Sequence, residues 1–439
     1  MYKISNGIKI FSFTLILLGG IGWGYSYMES HKTIDQVKEM LIHESSHGSS
    51  HSDQTEHMEQ INEDHHNSQE SSHNDEHAEH VMHQIHNRPY AALYVAAFFF
   101  MMISLGALAF YAIQYASQSG WSPVLFRVMQ AITYYLLPGA LIVLAIAFFA
   151  DKHLFIWMDP DVVAHDKLIQ AKAGWLNKTA FLIRGLIFIG GWSLYRYFSR
   201  KFSLAQDLAN DNKNFKRNFQ ISAGFLVFYI YTESMMSWDW VMSVDPHWFS
   251  TLFGWYTFSG MWIACMIVGV VLVQYLKGQG LLKDVNRSHI HDLTKWMFAL
   301  SMLWSYLWFS QFMLIWYANV PEETIYYTVR FENYKLLYVG TFLVNFILPF
   351  FVLMSRDAKR NVVFIIPIAL VIFFTHWIDV LVMVLPGTMF DHGHLGFVEI
   401  GMFLAFLGSF IFVTLRSLSK APLETKNHPM YDESVHLHH

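Results

Sequence analysis

The sequence predicts an all-α, polytopic membrane protein with ten transmembrane helices. Hydrophobic residues make up 54% of the 439 residues and charged residues only 14%, whereas soluble domains average about 25% charged residues. The mean hydropathy is +0.29. Apolar runs long enough to cross a hydrocarbon core of ~30 Å recur along the chain. Together these observations indicate a multi-pass helical membrane protein.

The first apolar run follows Lys3 and covers residues 8–27, so a cleaved signal peptide is an alternative interpretation. The run is not followed by an A-x-A-like cleavage site, which favours an uncleaved transmembrane helix within residues 1–28. Nine further runs complete the ten. They lie near 89–115, 126–150, 177–199, 218–241, 250–276, 291–318, 332–355, 362–385 and 394–416.

Basic residues in the connections predict the orientation. With ten spans, the Lys- and Arg-rich loops near residues 200–217, 277–287 and 356–360 fall on the same side as Lys3 and Lys9. The acidic and histidine-containing loops fall on the other side. The positive-inside rule then places both termini in the cytoplasm.

Residues 29–88 differ in composition from the rest, because histidines alternate there with acidic and small polar residues. We expect a low-complexity periplasmic loop with little apolar surface to bury. Histidines four residues apart share a helix face and would suit zinc, copper or nickel, although a solvated loop is the alternative. The weak metal-ligand candidates are His43, His47, His51, His73, His77 and His80.

Cys265 is the only cysteine, so no cysteine-ligated iron–sulfur cluster and no C-x-x-C-H haem attachment is expected. Of the histidines, only His376 is predicted well inside the membrane, whereas a membrane haem needs two at matched depth. We therefore expect neither haem nor iron–sulfur cluster in this chain, and metal centres only on partner subunits. The sequence has no basic cluster typical of nucleic-acid binding and no phosphate-binding loop.

Two segments of the chain echo each other. The segments FLVFYIYTESMMSWDWVMSVDP (225–246) and THWIDVLVMVLP (375–386) each place a tryptophan near an aspartate, with a proline seven residues after Asp239 and Asp379. We predict that they are equivalent helices in two halves of one protein. A carboxylate at bilayer depth costs roughly 2.5–3.5 kcal/mol on insertion scales, so such residues are usually functional.

The predicted orientation places several polar side chains in the outer leaflet. His376 and Asp379 are three residues apart and share a helix face, which suits either proton transfer or an interhelical polar clamp. Glu233 and Asp239 are six apart and face different directions. The predicted quinone or proton site comprises His376, Asp379, Glu233, Asp239 and Glu399, with Arg184 as charge partner.

Quinol oxidation fits these side chains, because it releases two protons and needs acid–base groups beside an apolar slot. A stand-alone secondary transporter is a less favoured alternative. Transporter helices are typically broken by glycine or proline at the binding site. Here Pro138, Pro349 and Pro367 do not adjoin the carboxylates.

The run ESMMSWDWVMSVDPHWFSTLFGWYTFSGMWIACM (233–266) resembles the second quinone-type membrane subunit of bacterial alternative complex III, a quinol:cytochrome c or quinol:oxidase oxidoreductase. Membrane subunits of that complex are similar to the NrfD/polysulfide-reductase membrane anchors. The resemblance covers about 89–416 and excludes the histidine-rich loop. It implies a bacterial inner-membrane protein with two four-helix bundles, 89–249 and 250–390, followed by a last helix and cytoplasmic tail, 391–439.

The resemblance also implies partners and a cofactor. The partners are an iron–sulfur/molybdopterin-like subunit, c-type haem subunits, a sister quinone-binding membrane subunit, small single-span subunits and membrane lipid, with a terminal oxidase as an optional further partner. The cofactor is a quinol, either menaquinol or ubiquinol. Three roles stay open for this chain: a quinol site, a proton pathway, or a scaffold without a quinol site of its own.

Overall fold

The computed structural model describes residues 2–31, 33–39, 63–391 and 393–438, with the side chains of residues 63–77 and 80 outside the description. The described chain is built from helices and connecting turns, without strands. We number its long helices in chain order. They are α1 Asn6–Ser30, α2 Glu63–Ala116, α3 Pro123–Phe149, α4 Lys178–Gln206, α5 Lys213–Trp240, α6 Leu252–Gly278, α7 Arg287–Ala318, α8 Lys335–Val352, α9 Val362–Met389 and α10 Phe397–Leu418.

Eight of these helices in the described part of the chain are long and apolar enough to cross a membrane. Helices α4 and α5 are 29 and 28 residues long but do not belong to the eight. Both have basic residues toward the ends that face their connecting loop, which lowers their apolar character. Their outward faces still expose apolar side chains, such as Leu186 and Leu194 on α4 and Ile230 on α5. The all-helical class is confirmed, and the eight helices indicate a multi-pass membrane protein.

The long helices pack as two rings of four. In the first ring α2 contacts α3 and α5, and α4 closes the ring by contacting the same two helices. In the second ring α6 contacts α7, α7 contacts α8, α8 contacts α9, and α9 returns to α6. Helix α2 lies between the rings because it also contacts α6, α9 and α10, and its membrane-length part is almost wholly buried.

Helices α1 and α10 flank the rings and pack tightly against each other in antiparallel directions. Glycines permit this close approach. A Cβ atom at Gly19 would lie 2.3 Å from the carbonyl oxygen of Gly401, and one at Gly408 would lie 2.5 Å from that of Ser12. Small residues serve this purpose where lipid provides no hydrophobic drive between helices. The opposite face of α1 exposes large apolar side chains, as a lipid-facing helix would.

Helix α2 begins at Glu63, so the predicted boundary between the histidine-rich loop and the first bundle, at residue 88, falls inside a helix. A polar composition predicts a loop, but a helix that is already nucleated gains one backbone hydrogen bond for each added residue. The helix also runs through Pro89, whose carbonyl oxygen accepts a 3.0 Å hydrogen bond from Trp23 Nε1 of α1.

The metal-ligand candidates of the histidine-rich segment fall where side chains are not described. His43, His47 and His51 lie outside the described residues, and His73, His77 and His80 lie on α2 with side chains outside the description. Among the side chains that are described, no group of three or more His, Cys, Asp or Glu residues is placed to hold a metal ion. Metal binding by this segment therefore stays a prediction.

Candidate functional site

Asp379 lies at the centre of the second ring. It is ten residues before the end of α9 (389 − 379 = 10) and therefore about 15 Å from that end along the helix. Its side chain is buried, and both carboxylate oxygens accept hydrogen bonds from neighbouring helices. The hydroxyl of Tyr256 on α6 donates to Oδ1, and Nε1 of Trp304 on α7 donates to Oδ2 over 3.1 Å. None of the ion pairs within the described residues includes Asp379.

His376 is fully buried one helical turn before Asp379, yet the two side chains are not hydrogen-bonded. Neither ring nitrogen of His376 has a hydrogen-bond partner among the described residues. The spacing of three places both side chains on one helix face, but within the described residues the Asp379 carboxylate bonds to other helices and not to His376. The carboxylate instead accepts hydrogen bonds from Tyr256 and Trp304, which lie on other helices. The Trp304 ring also packs edge-on against the imidazole, at a centroid distance of 5.2 Å.

A narrow cavity adjoins Asp379. Its volume is about 20 Å³, which is room for about one water molecule. Aromatic side chains form most of its wall, and polar groups are set among them. We call this space the Asp379 cavity. It is lined by Tyr256, Trp308, Gln311, Tyr326, Tyr327, Arg330, Tyr338, Asp379, Val382 and Met383.

Arg330 brings a buried positive charge to the Asp379 cavity. It lies on the short helix Pro321–Glu332, which connects α7 and α8, and is only 2% exposed. Its Nη1 donates to the carbonyl oxygen of Tyr326 over 2.7 Å, and its guanidinium lies 3.3 Å from the centroid of the Tyr326 ring. Burial raises the pKa of Tyr326 to about 12, so that hydroxyl stays protonated at physiological pH.

Sequence reasoning missed Tyr256, Trp304 and Arg330. The sequence predicts an outer loop for the segment with Arg330, because it lies between the apolar runs near 291–318 and 332–355. A signal was present, since Tyr326, Arg330 and Tyr334 recur at helical spacing on one face. That pattern would have predicted a short amphipathic helix with an inward-facing arginine.

Glu233 is a second buried carboxylate that is not part of an ion pair among the described residues. It is buried on α5. Among the described residues, Oε1 has no hydrogen-bond partner and Oε2 accepts a 3.5 Å contact from the Ser234 hydroxyl. One turn earlier, Tyr229 contacts the sulfur of Met261 on α6 at 3.8 Å. Buried polar atoms are rarely left without partners, so the free oxygen of Glu233 marks a place for water or a proton.

Asp239 is held in a closed ion-pair cluster. Nε of Arg184 on α4 donates to Oδ2 over 2.6 Å, and Nε1 of Trp175 donates to Oδ1 over 2.8 Å. The Arg184 guanidinium also lies 4.2 Å from the centroid of the Trp175 ring. Arg184 is therefore the charge partner of Asp239, and the cluster ties α4 to the end of α5.

Glu399 is equally well satisfied. The Arg88 side chain on α2 donates to both carboxylate oxygens, with Nε to Oε1 at 3.0 Å and Nη2 to Oε2 at 3.2 Å. The backbone N–H of Gly396 adds a third bond at 2.8 Å, so Glu399 also caps its own helix α10. This bidentate pair joins α10 to α2 and leaves the carboxylate no free oxygen.

A further buried polar network lies at the opposite end of the first ring, and sequence reasoning missed it as well. The Arg127 guanidinium donates to Gln130, to the Ser203 hydroxyl and to Asp207. Gln130 Nε2 then donates to the Tyr111 hydroxyl over 2.8 Å. Because these groups bond mainly to one another, the network holds α2, α3 and α4 together.

The structure does not gather the five predicted site residues at one place, since His376 and Asp379 both lie against Trp304 while the other three lie elsewhere. Asp379 lines the cavity described above. His376 and Glu233 are buried with unpartnered atoms, whereas Asp239 and Glu399 are paired with arginines. Of the five, Asp379 has the best combination of burial, polar neighbours and access to an internal space.

The fold and this site define a class: a helical multi-pass membrane protein with an acidic group buried in its second ring of helices. A comparison with protein-family models finds no match, and a comparison with curated proteins finds none either. The resemblance of residues 233–266 to a membrane subunit of alternative complex III therefore remains a prediction.

Proposed function

We propose that this chain is an integral membrane subunit of a quinol:electron-acceptor oxidoreductase complex of the bacterial inner membrane, in which Asp379 exchanges protons. In this proposal all ten long helices span the membrane, including α4 and α5, and both termini are cytoplasmic. The partners would carry the metal centres. The observation that carries the proposal is a buried carboxylate that has no ion-pair partner among the described residues and lies beside a water-sized cavity.

The contrast with Asp239 supports a proton role for Asp379. The two aspartates lie in echoed segments, but only Asp239 has an arginine on its carboxylate. An arginine partner holds a carboxylate in its charged form, which suits structure better than proton exchange. Asp379 instead has two neutral donors, Tyr256 and Trp304, and can stay in place whether or not it carries a proton.

In this proposal, a water molecule in the Asp379 cavity relays that proton. Four of the residues that line the cavity are tyrosines, Tyr256, Tyr326, Tyr327 and Tyr338, and a tyrosine hydroxyl can both donate and accept hydrogen bonds. Arg330 would favour a negative charge in the cavity after a proton leaves. Glu233, with its unpartnered oxygen, is the next candidate for a proton carrier in the first ring.

The test compares Asp379→Asn with Asp239→Asn in the complex purified through this chain and reconstituted in proteoliposomes. For Asp379→Asn we expect quinol oxidation to continue. The number of protons moved per electron should fall below that of the wild type, because the pathway through Asp379 is lost. Asp239→Asn is the matched control, because it neutralises an equally buried aspartate in the other half. It should lower stability but leave the proton-to-electron ratio of the folded complex unchanged.

A quinol site at the same place is the second candidate, because the Asp379 cavity combines five aromatic side chains with Arg330, Gln311 and Asp379. Its volume of about 20 Å³ is far below the 300–1,000 Å³ typical of ligand pockets, so a quinol would require the helices around it to part. In this case Asp379→Asn weakens binding of a quinol analogue to the complex. If neither proton movement nor analogue binding changes and only assembly suffers, both candidates fail and the chain is a scaffold.

A further inference from the structure

An apolar groove lies on the exposed surface of the helix bundle and shares no lining residue with the Asp379 cavity. It has a volume of about 430 Å³ and lies among α1, α6, α9 and α10. Its walls include Ile8 and Phe11 of α1, Val271 of α6, Leu370 of α9 and Ile411 of α10, and its exposed lining is entirely apolar. Because it lies at the start of α1 and the end of α10, it occupies one end of the membrane-length region.

A basic pocket of about 440 Å³ adjoins the end of this groove. Three cationic side chains line it, Lys3 and Lys9 at the start of α1 and Arg416 at the end of α10. Tyr2 connects the two spaces: it lines the basic pocket, and its hydroxyl lies 3.0 Å from the hydroxyl of Tyr275, which lines the groove.

The three cations of this pocket form no ion pair with a carboxylate in the part of the chain that the structure describes. Within the described residues no ion pair includes Lys3, Lys9 or Arg416. Lys9 Nζ donates to the Asn6 side chain over 3.4 Å, and the Arg416 guanidinium lies 5.9 Å from the centroid of the Phe412 ring. Neither contact supplies a negative charge.

We propose that the groove and the basic pocket together bind one anionic phospholipid, with the phosphate among Lys3, Lys9 and Arg416 and an acyl chain in the groove. Basic pockets beside transmembrane helices attract anionic headgroups, and an all-apolar channel suits an acyl chain. A partner helix would fill the groove but leave the cations without an anion. The lipid would fasten α1 to α10 and α6, and this proposal is independent of any role for Asp379.

The test uses the purified full-length chain, stripped of lipid in detergent and then titrated with dioleoyl-phosphatidylglycerol or dioleoyl-phosphatidylcholine. Bound lipid is counted by native mass spectrometry, and the shift in the thermal unfolding midpoint is recorded in parallel. We expect the wild type to retain phosphatidylglycerol in preference to phosphatidylcholine. Removing one cation by Lys9→Gln or Arg416→Gln should lower that preference about fivefold, as expected for one basic residue near an anionic surface.

Two controls make the outcome decisive. Lys283→Gln removes an exposed cation that does not line the pocket and should leave the preference unchanged. Leu370→Trp narrows the groove from its partly exposed side and should reduce retention of phosphatidylglycerol, whereas Leu370→Met should not. Equal retention of both lipids by the wild type overturns the proposal. The proposal is also overturned if inorganic phosphate alone raises the thermal unfolding midpoint as much as phosphatidylglycerol does, because the site would then bind a free anion.

Discussion

Trp304 of α7 donates its indole N–H to Asp379 Oδ2 of α9 over 3.1 Å, and this bond holds the carboxylate at the wall of the Asp379 cavity. The same indole ring packs edge-on against His376 at a centroid distance of 5.2 Å. One tryptophan therefore lies against both residues that the sequence had paired with each other. The position of the acid depends on a helix about 75 residues away in the chain.

Replacing Trp304 with phenylalanine removes the donor but keeps an aromatic ring beside His376. We expect a loss of about 1.5–3 kcal/mol in the free energy of unfolding, the usual contribution of a hydrogen bond to a charged group. Unfolding in detergent, followed by circular dichroism, measures it. Trp308→Phe is the control, since Trp308 lies one turn later on α7, lines the same cavity and has no partner for its N–H. Equal losses in the two variants would show that the bond to Asp379 contributes nothing of its own.

The Arg184–Asp239 pair predicts a non-additive pattern. Arg184→Met leaves the Asp239 carboxylate buried without its cation, which costs roughly 3–5 kcal/mol. Asp239→Asn in the same chain removes the charge that needed neutralising, so the double variant should be destabilised by less than the sum of the two single variants. A double-mutant cycle of thermal or denaturant unfolding gives the coupling directly. Simple additivity would contradict the assignment of this pair as the bond between α4 and α5.

Gly19 and Gly20 provide a matched pair for the contact between α1 and α10. A Cβ atom at Gly19 would meet the backbone oxygen of Gly401 at 2.3 Å, whereas a Cβ atom at Gly20 has no neighbour within 4 Å. Gly19→Ala should therefore destabilise the protein by about 1–3 kcal/mol through overpacking. Gly20→Ala should be neutral or slightly stabilising, because alanine favours helix. The unfolding midpoints of the two variants, measured in the same detergent, should differ in this order.

His428 in the C-terminal tail predicts a dependence of stability on pH. Its ring packs edge-on against Tyr115, Phe126 and Phe215, and burial, with a smaller effect of the Arg127 charge, lowers its pKa from 6.5 to about 4. Between these values the unfolded chain binds a proton that the folded chain does not. Stability from this residue is therefore full above pH ~6.5 and falls as the pH drops toward 4, by a total on the order of 3 kcal/mol.

His428→Phe isolates this contribution, because phenylalanine fills the aromatic cage without titrating. The difference in unfolding free energy between wild type and variant should shrink or reverse in favour of the variant as the pH is lowered from 7 to 4.5. A difference that stays constant over this range would mean that His428 keeps its ordinary pKa in the folded protein. Other histidines titrate in both proteins and cancel in the comparison.

The positions of the helices were largely predictable, whereas the partners of the buried charges were not. Apolar runs near 250–276 and 362–385 correspond closely to α6 and α9, because membrane-length hydropathy is a local property of the chain. Composition alone did not predict the structure of the histidine-rich segment. Its polar residues predict a loop, but α2 begins at Glu63 within it.

The sequence by itself determined the helical membrane class, the echo between residues 225–246 and 375–386, and the burial of Glu233, Asp239, Asp379 and Glu399. Only the tertiary structure decided what each carboxylate does. Asp239 and Glu399 meet arginines from α4 and α2, while Asp379 meets neutral donors and a cavity. The physical reason is that the depth of these four residues follows from the apolar runs that carry them, whereas their partners are side chains brought from distant helices, and one sequence does not reveal those contacts.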